Sequence, residues 1–316
     1  MFMIKENLKI IVVLCLALFA VVSCEEDDGP TVEFVPRDRA EQQVADKDSL
    51  IDYLSSHYYN SEFFETGINH SISDIVITEL DEGEEVPSGH TLLLNAIETR
   101  NTEYLDIDYE YYVLNLNQGG GASPNFTDAV EVRYEGILEE TEEVFQVIST
   151  PEQLQLQSNG ISPAAIKGWQ LILPTFNTAE SFSGNVDGTF SYEDFGLGVM
   201  FIPSGLGYFF SSQPGIPAYS NLIFKFELLR YEVVDHDGDL VPSYLEDLND
   251  NGDVEDDDTD EDGAPNFVDL DDDNDGVFTR NEDIDGDGDP TNDIGANGIP
   301  KYLDPEETES NEDEEE

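Results

Sequence analysis

The sequence has few cationic side chains and few cysteines. Its 316 residues include 12 Lys and Arg against 72 Asp and Glu, which gives a formal net charge of −60. A surface of this sign repels the phosphates of nucleic acids, so nucleic-acid binding is excluded, and divalent cations should be attracted instead. The two cysteines, Cys15 and Cys24, lie near the N-terminus. No disulfide framework is therefore expected in the rest of the chain.

The patterns of nucleophilic and phosphate-binding enzymes are also missing. Gly119–Gly121 is followed by neither a Lys nor a helix-start pattern, as a phosphate-cradling loop would be. The four histidines are scattered, and no Ser/His/Asp order stands out: His57, His70, His90 and His236. We expect no nucleophilic chemistry and no cofactor for catalysis.

Residues 1–23 have the pattern of a secretion signal. Lys5 and Lys9 precede the apolar run Ile10–Val22, which is too short to span a bilayer comfortably. The tetrapeptide Val-Val-Ser-Cys that ends at Cys24 resembles a bacterial lipobox, in which the Cys is lipidated. An ordinary signal peptide with an incidental Cys is the alternative. The resemblance predicts a lipoprotein signal peptide at 1–23 and a polar tether at 24–36.

The residues that follow Cys24 indicate where in the cell the protein is located. The acidic run Glu25–Asp28 resembles sorting signals that send some lipoproteins to the outer membrane or the cell surface. Lipid chains on Cys24 would anchor the protein without a transmembrane helix. We expect an outer-membrane lipoprotein that faces the periplasm or the cell surface.

Periodicity divides the next part of the chain. Residues 37–105 form an N-terminal extension, with helical spacing at about Arg37–Tyr58 and a strand at 74–79. After residue 105 the apolar period changes to two, which predicts strands. The predicted strands follow in order: Ile107–Asn115, Asp128–Leu138, Val199–Ile202 and Leu222–Leu229.

Short motifs follow one another in this region. Residues 130–138 read Val-x-Val-x-Tyr-x-Gly-x-Leu, and residues 165–169 read Ala-Ile-Lys-Gly-Trp. They are followed by Ile-Pro-Ser and Leu-Gly-Tyr at 202–208, Pro-Gly-Ile-Pro at 214–217 and the strand at 222–229. In this order the motifs resemble those of the FKBP-type peptidyl-prolyl isomerases, in which residues 165–169 would correspond to the entry to the family's single helix. The alternative is a generic β-hairpin with aromatic core residues.

The resemblance covers roughly residues 108–232 and implies an FKBP-like domain at 106–233. The predicted fold class is α+β, with an antiparallel sheet wrapped on one helix at Ala165–Phe176 and an N-terminal helical extension. The implied activity is rotation about X–Pro peptide bonds, whose barrier is about 18–20 kcal/mol. No nucleophile is needed, because a twisted amide has less charge separation and an apolar site can bind it selectively.

The resemblance also implies the site residues. Trp169 would be the floor beneath the substrate proline, while the Tyr208 hydroxyl and the Ile166 N–H would donate to substrate carbonyls. The implied set is Tyr134, Phe145, Gln146, Ala165, Ile166, Trp169, Tyr208, Ile216 and Phe224. Plain core packing is the alternative role for each aromatic. The expected partners are exported, proline-containing polypeptides.

Three departures from the family pattern affect this expectation. Gln146 stands where the family usually has Asp, and an amide cannot replace a carboxylate's charge. Phe209 replaces the usual Gly after the Tyr, and Asn177–Gly196 contains an insertion that we interpret as a flap beside the cleft. The alternative function is therefore a non-catalytic peptide-binding or calcium-stabilised spacer lipoprotein.

The C-terminal region is strongly acidic. Residues 235–316 hold 34 of the 72 acidic side chains. Asp271–Glu282 fits the twelve-residue calcium-loop pattern without a mismatch, with oxygens at positions 1, 3, 5 and 12 and Gly at 6. Related loops begin at Asp235, Asp247, Asp258 and Asp283, every 11–13 residues, which leaves no room for the helices of an EF-hand.

A second repeat overlaps these loops. A Pro-x-aromatic template recurs at 241–247, 264–270 and 299–305. Together the repeats resemble thrombospondin type 3 calcium repeats without their cysteines. The alternative is a disordered acidic tract. We expect structural Ca²⁺ in repeats at 235–305 and a disordered acidic tail at 306–316.

The predicted calcium ligands are carboxylate and amide side chains, loop by loop: Asp235, Asp237, Asp239 and Glu246; Asp247, Asn249, Asn251 and Asp258; Asp258, Asp260, Asp262 and Asp269; Asp271, Asp273, Asp275 and Glu282; and Asp283, Asp285 and Asp287 in an imperfect last loop.

Overall fold

A computed structural model of the chain describes residues 35–158, 160 and 163–311. The predicted signal peptide, Cys24 and nearly all of the tether lie outside the described residues. Within the described part, no helix combines the length and the apolar character needed to cross a membrane.

The N-terminal extension consists of one helix and a small sheet. Helix α1 spans Arg39–Ser56, and the Asp38 carboxylate caps it by accepting the Glu41 N–H at 2.9 Å. The helix is followed by β1 (His57–Tyr59), which pairs antiparallel with β2 (Ile77–Glu79) and β3 (Thr91–Leu92). The sequence indicated the helix and β2, but not β1 or this pairing.

A six-stranded antiparallel sheet forms the centre of the molecule, in the order β4-β5-β10-β11-β6-β7. This arrangement confirms the predicted combination of a mostly antiparallel sheet with few helices. The strands are β4 (Glu98–Tyr104), β5 (Ile107–Asn117), β6 (Ala129–Leu138), β7 (Val144–Gln155), β10 (Gly196–Ile202) and β11 (Leu222–Glu232). The edge strands β4 and β7 were not predicted.

The central strands are buried on both faces. On one face, alternate residues of β5, β6, β10 and β11 contact helix α2 (Lys167–Ile172), which begins two residues later than predicted and continues as a 3₁₀ turn at Leu173–Thr175. On the other face, the intervening residues contact Leu50, Tyr53 and Leu54 of α1. Two helices that are far apart in the sequence therefore cover opposite faces of one sheet.

The insertion forms the hairpin β8 (Ser181–Gly184) and β9 (Phe190–Glu193). Arg230 lies over the Phe182 ring and Arg133 over the Tyr192 ring, and both cations project from the sheet face opposite Trp169. The interpretation of this segment as a flap beside the cleft is therefore wrong. Alternation along β6 and β11 places the hairpin's contacts on the other face.

The acidic repeats follow β11 without a break. Each Pro-x-aromatic segment starts a 3₁₀ turn, at Ser243–Glu246, Asn266–Val268 and Lys301–Leu303. Beyond residue 305, Glu307 and Glu309 accept hydrogen bonds from Lys301. The first part of the segment predicted to be disordered thus contacts the last repeat, while residues 312–316 lie outside the described residues.

Candidate functional site

Four aromatic rings from three strands and α2 meet on the α2 face of the sheet. The Phe224 ring centroid lies 4.9 Å from that of Trp169, 5.7 Å from that of Phe145 and 5.9 Å from that of Tyr134. The Tyr134 and Trp169 rings are 5.4 Å apart in an edge contact. These spacings are typical of favourable aromatic pairs. The cluster contains Trp169, the predicted floor, and three other residues of the predicted site.

Gly136 explains how Phe145 reaches this cluster. The two residues lie on the paired strands β6 and β7, where the register shifts after Gly136. A Cβ on Gly136 would overlap the Phe145 ring and come within 3.0 Å of Phe224. The absence of a side chain at this position therefore makes room for the Phe145 ring.

Two candidate donors border the aromatic cluster. Ile166 is the N-cap of α2, and within the described chain neither its N–H nor the Tyr208 hydroxyl has a hydrogen-bond partner. The Ala165 N–H differs, because it donates to the Gln155 carbonyl at 2.7 Å. Phe145, Ile166 and Tyr208 are half-buried, whereas Trp169, Phe224 and Tyr134 are 3–6% exposed. The half-buried residues form the accessible rim.

The position of the missing Asp is exposed. Gln146 lies on β7 opposite Gly136, and it makes no hydrogen bond to Tyr134 within the described chain. Burial, followed by the charge of Glu152 and by Tyr208, raises the pKa of Tyr134 to about 12. Glu152 pairs with Val132, diagonal to Tyr134 on the same face. The carboxylate whose charge acts on this hydroxyl thus comes from a residue that the sequence did not indicate.

The remaining predicted site residue, Ile216, lies in a tight turn. Gln213 and Ile216 exchange two backbone hydrogen bonds of 2.9 Å across Pro214-Gly215, and Gly215 has φ +81°. A Cβ on Gly215 would contact Cβ of Phe145 at 3.4 Å. The turn therefore lies directly against Phe145, and Ile216 is 5% exposed.

Helix α1 holds the loop that carries Tyr208. The Asp46 carboxylate accepts the Ser204 N–H at 2.9 Å and the Ser204 hydroxyl at 2.6 Å, and all three groups are buried. Asn221, at the other end of the loop, donates to the Asp46 carbonyl at 3.2 Å. Burial raises the pKa of Asp46, and the hydrogen bonds from Ser204 and Gln42 oppose this rise. One carboxylate thus links the helix to the loop.

The structure explains why Phe209 can stand where the family usually has Gly. Phe209 has φ +48°, a left-handed conformation that Gly would adopt more readily. The Arg39 guanidinium lies over its ring at 4.1 Å, the Tyr219 ring makes an edge contact with it at 5.2 Å, and Arg39 also donates to the Gly205 carbonyl. Contact with α1 compensates for the unfavourable backbone, so the departure at 209 belongs to the helix interface and not to the cleft.

A cavity lies outside the aromatic cluster. It has a volume of about 660 Å³ and is lined by Lys167, Tyr104 and the second repeat, but by none of the nine predicted site residues. Burial lowers the pKa of Lys167, against the opposing charges of Asp253 and Glu255. Its walls are mixed polar and apolar, unlike the aromatic floor expected for a proline ring.

The acidic loops share one backbone geometry. Asp247, Asp258 and Asp283, each at position 1, accept the N–H of the Gly five residues later at 2.8, 3.0 and 2.9 Å. Those glycines have φ of 78°, 99° and 89°, which an L side chain rarely adopts. The repeat that the Asp and Gly spacing indicated is therefore also a repeat of conformation.

Several predicted ligands converge within their own loops. Ligand oxygens lie within 4.8 Å of one another in the groups Asp235/Asp237/Asp239, Asp258/Asp260/Asp262 and Asp271/Asp273/Asp275. Oε1 of Glu282, at position 12 of the loop that begins at Asp271, is buried without a partner in the described chain. Burial, followed by the charges of Asp273, Asp275 and Asp271, raises the pKa of Glu282 to about 9. Unpaired buried carboxylate oxygens fit a hard cation such as Ca²⁺.

Other predicted ligands do not converge with the rest of their own loop. Asp269 caps the N–H groups of Leu270 and Asp271, and Asn249 and Asn251 donate to Asp256. Asp287 accepts from Asn292, and Asp293 takes its place beside Asp283 and Asp285. Glu246 meets Asp239 and Asp272. The twelve-residue loop pattern predicted neither Asp293 nor Asp272. Asp293 is at position 11 of its loop and not at position 12, and Asp272 belongs to a different loop from Asp239 and Glu246.

Comparisons with known proteins give partial matches. Residues 236–289 match the family model described as BamM C-terminal. No curated protein gives a significant match. The chain is similar to a solved peptidyl-prolyl cis-trans isomerase from Pseudomonas syringae pv. tomato, at 23% identity and a TM-score of 0.31, over 42% of this chain and 80% of that one.

Two further solved structures are similar to the chain. FkpA from Escherichia coli shares 25% identity with a TM-score of 0.30, over 39% of this chain and 48% of FkpA. The N-terminal domain of FKBP42 from Arabidopsis thaliana shares 12% identity with a TM-score of 0.32, over 43% of this chain and 92% of that domain.

The link between Asp46 and Ser204 predicts the effect of Ser204→Ala. The variant leaves a buried carboxylate oxygen without its hydroxyl donor, which should lower the free energy of unfolding by about 1.5–3 kcal/mol. Urea unfolding followed by the fluorescence of the single Trp measures it. Ser212→Ala, at an exposed position of the same loop, should change the value by about 0.5 kcal/mol at most. Equal effects of the two substitutions would mean that the link does not stabilise the loop.

Proposed function

We propose that the chain is a peptidyl-prolyl cis-trans isomerase of the cell envelope, with residues 106–233 as an FKBP-like catalytic domain. The observation that carries the proposal is the convergence of Tyr134, Phe145, Trp169 and Phe224 beside unpaired donors at Ile166 and Tyr208. The motifs that contain these residues resemble the FKBP-type isomerases. The expected substrates are proline-containing segments of exported polypeptides.

The chemistry follows from the character of the site. An X–Pro bond isomerises unaided in about tens to hundreds of seconds, because rotation breaks the amide resonance. The twisted amide carries less charge separation, so an apolar floor disfavours it less than it disfavours the planar form. Trp169 would support the proline ring, while the Ile166 N–H and the Tyr208 hydroxyl would hold the flanking carbonyls. Binding the twisted form better than the planar form lowers the barrier.

A specific observation favours a second candidate function. Gln146 brings no charge to the site, and Trp169 and Phe224 are nearly covered. A cleft of this kind can bind a proline-containing segment at its rim without bringing the amide onto the floor. The second candidate is therefore a peptide-binding lipoprotein that does not isomerise.

The isomerase proposal predicts that the chain accelerates the cis-to-trans conversion of a short proline peptide. Tyr208→Phe removes one hydrogen bond to the twisted amide, and a loss of about 0.5–1.5 kcal/mol corresponds to about a 2- to 10-fold lower kcat/KM. Tyr58→Phe, on β1 of the extension, is the matched control and should leave the rate unchanged. Gln146→Asp should raise the rate if the missing carboxylate limits it.

The outcome separates the two candidate functions. A wild-type chain no faster than the spontaneous reaction rejects the isomerase. If proline peptides still change the Trp169 fluorescence in that case, the peptide-binding alternative stands.

We propose that Cys24 carries the lipid that anchors the chain in the outer membrane. The lipobox pattern and the acidic residues after it support the anchor. The match of residues 236–289 to the BamM C-terminal model is consistent with an outer-membrane-associated protein. The tether at 24–36 would keep the domain in the aqueous phase beside the membrane.

The anchor predicts an acylated N-terminal Cys. Intact-mass analysis of detergent-extracted chain from a bacterial host should show residues 1–23 removed and acyl mass on Cys24. Cys24→Ala should abolish processing and membrane retention, whereas Cys15→Ala, within the apolar run, should alter neither. A wild-type chain without acyl mass contradicts the anchor.

We propose that residues 235–305 bind structural Ca²⁺ in successive loops. The clustered oxygens of Asp258/Asp260/Asp262 and Asp271/Asp273/Asp275 support this, as does the repeated Asp-to-Gly geometry. Ca²⁺ accepts flexible cages of six to eight oxygens, and extracellular modules bind it with Kd of about 10⁻⁴–10⁻³ M. These loops would neutralise part of the chain's negative charge.

The calcium proposal predicts protection of the repeats by Ca²⁺ beyond ionic screening. The full chain should become more compact and more resistant to proteolysis within 235–305 in Ca²⁺ than in Mg²⁺ at equal ionic strength, because a ligand that binds only the folded form stabilises it. Asp271→Ala combined with Glu282→Ala should lower the Ca²⁺ stoichiometry by about one. Equal responses to the two ions would reduce the effect to charge screening.

A further inference from the structure

Three carboxylates from two distant loops meet inside the acidic repeats. Asp239 and Glu246 belong to the first loop, and Asp272 is the second residue of the fourth loop. One oxygen of each lies within 4.8 Å of one oxygen of both others. Position 2 of a calcium loop is not a ligand position within its own loop, so the place of Asp272 is set by the contact between loops.

These carboxylates are buried and have no partners. Asp239 and Glu246 are fully buried, and Asp272 is 1% exposed. Both oxygens of Glu246, both oxygens of Asp272 and Oδ2 of Asp239 lack a hydrogen-bond partner in the described chain. No ion pair of the described residues includes any of the three. Burying several ionised carboxylates together without compensation is strongly unfavourable, so their charge must be neutralised, and a bound cation would do this while also giving the unpaired oxygens a partner.

We propose that Asp239, Glu246 and Asp272 bind one Ca²⁺ that joins the first repeat to the fourth. The site rests on the calcium chemistry proposed for the loops, but it differs from them because its donors come from two loops. It also shares Asp239 with the group Asp235/Asp237/Asp239. The first loop and the joining site are therefore neighbours that use one carboxylate in common.

The donor set favours Ca²⁺ over other common divalent ions. All three donors are carboxylates, whereas Zn²⁺ sites in proteins use mainly nitrogen and sulfur. Mg²⁺ requires strict octahedral geometry and usually keeps several waters. Donors that are at most 1% exposed leave little access for such waters. Ca²⁺ tolerates irregular cages and bidentate carboxylates.

The last repeat covers the same site. Tyr302, in the third Pro-x-aromatic segment, is 2% exposed, and its hydroxyl lies close enough to Asp272, Glu246 and Asp239 to be affected by their charges. A cation held by these carboxylates therefore lies where the first, fourth and last repeats meet. Its binding should order these segments together, and not one loop at a time.

The test removes the charges but keeps the shapes. Glu246→Gln and Asp272→Asn are made singly in the full chain, and Asp250→Asn, at an exposed position of the second loop, is the matched control. Calorimetric titration measures the Ca²⁺ stoichiometry, and thermal unfolding is followed in chelator and in Ca²⁺. Each site variant should bind one Ca²⁺ fewer and gain less in Tm from Ca²⁺ than the wild type. In chelator each should be at least as stable as the wild type, because one repelling charge is gone.

The measurements separate this site from the loop proposal. A site variant with wild-type stoichiometry and a wild-type Ca²⁺ gain in Tm overturns the joining site, even if the loops bind. Lower stability of both site variants in chelator would also overturn it, because that result indicates ordinary packing roles. A wild-type chain that binds no Ca²⁺ rejects both proposals, and an equal gain in Mg²⁺ rejects the choice of ion.

Discussion

The central strands β10 and β11 are apolar on both faces, and helices of the described chain cover both of those faces. All seven residues of β10 are buried. A strand of this kind exposes apolar surface unless both sides of its sheet are covered. Helix α2 covers one side and α1 the other, so the N-terminal extension completes the core of the domain.

This two-sided arrangement determines how the cleft is held. Tyr208 lies in the loop between β10 and β11, so its position depends on both ends of that loop. Asp46 of α1 binds Ser204 at one end through its carboxylate and Asn221 at the other through its carbonyl. Because Asp46 is buried, loss of either partner would leave a polar group unsatisfied. The helix that covers the back of the sheet therefore also fixes one wall of the cleft at the front.

The parts of the fold that sequence could predict are those in which one strand's own alternation decides the burial. Ile107–Val113 shows the period of two clearly and Leu222–Phe226 shows it in part, and both lie where predicted. The edge strands β4 and β7 lack this signal because none of their residues is fully buried, and they are accordingly rich in Glu, Gln and Thr. The position of Glu152 follows from the register of β7, which contains two irregularities. No local pattern encodes such a shift.

The acidic repeats show the same division between local and distant information. Asp and Gly spacing predicted the loop conformation, since the Asp-to-Gly hydrogen bond that closes a loop runs between residues only five positions apart. It did not predict Asp272 beside Glu246, because that contact depends on how the first and fourth loops pack together.

The stacked array is also joined to the cleft domain. Ser243 donates to the Val234 carbonyl, and Gln157, just beyond β7, donates to Glu255 at 3.0 Å. The end of β7, the strand that carries Phe145 and Glu152, is thus hydrogen-bonded to the second repeat, and the chain just beyond β11 is hydrogen-bonded to the first.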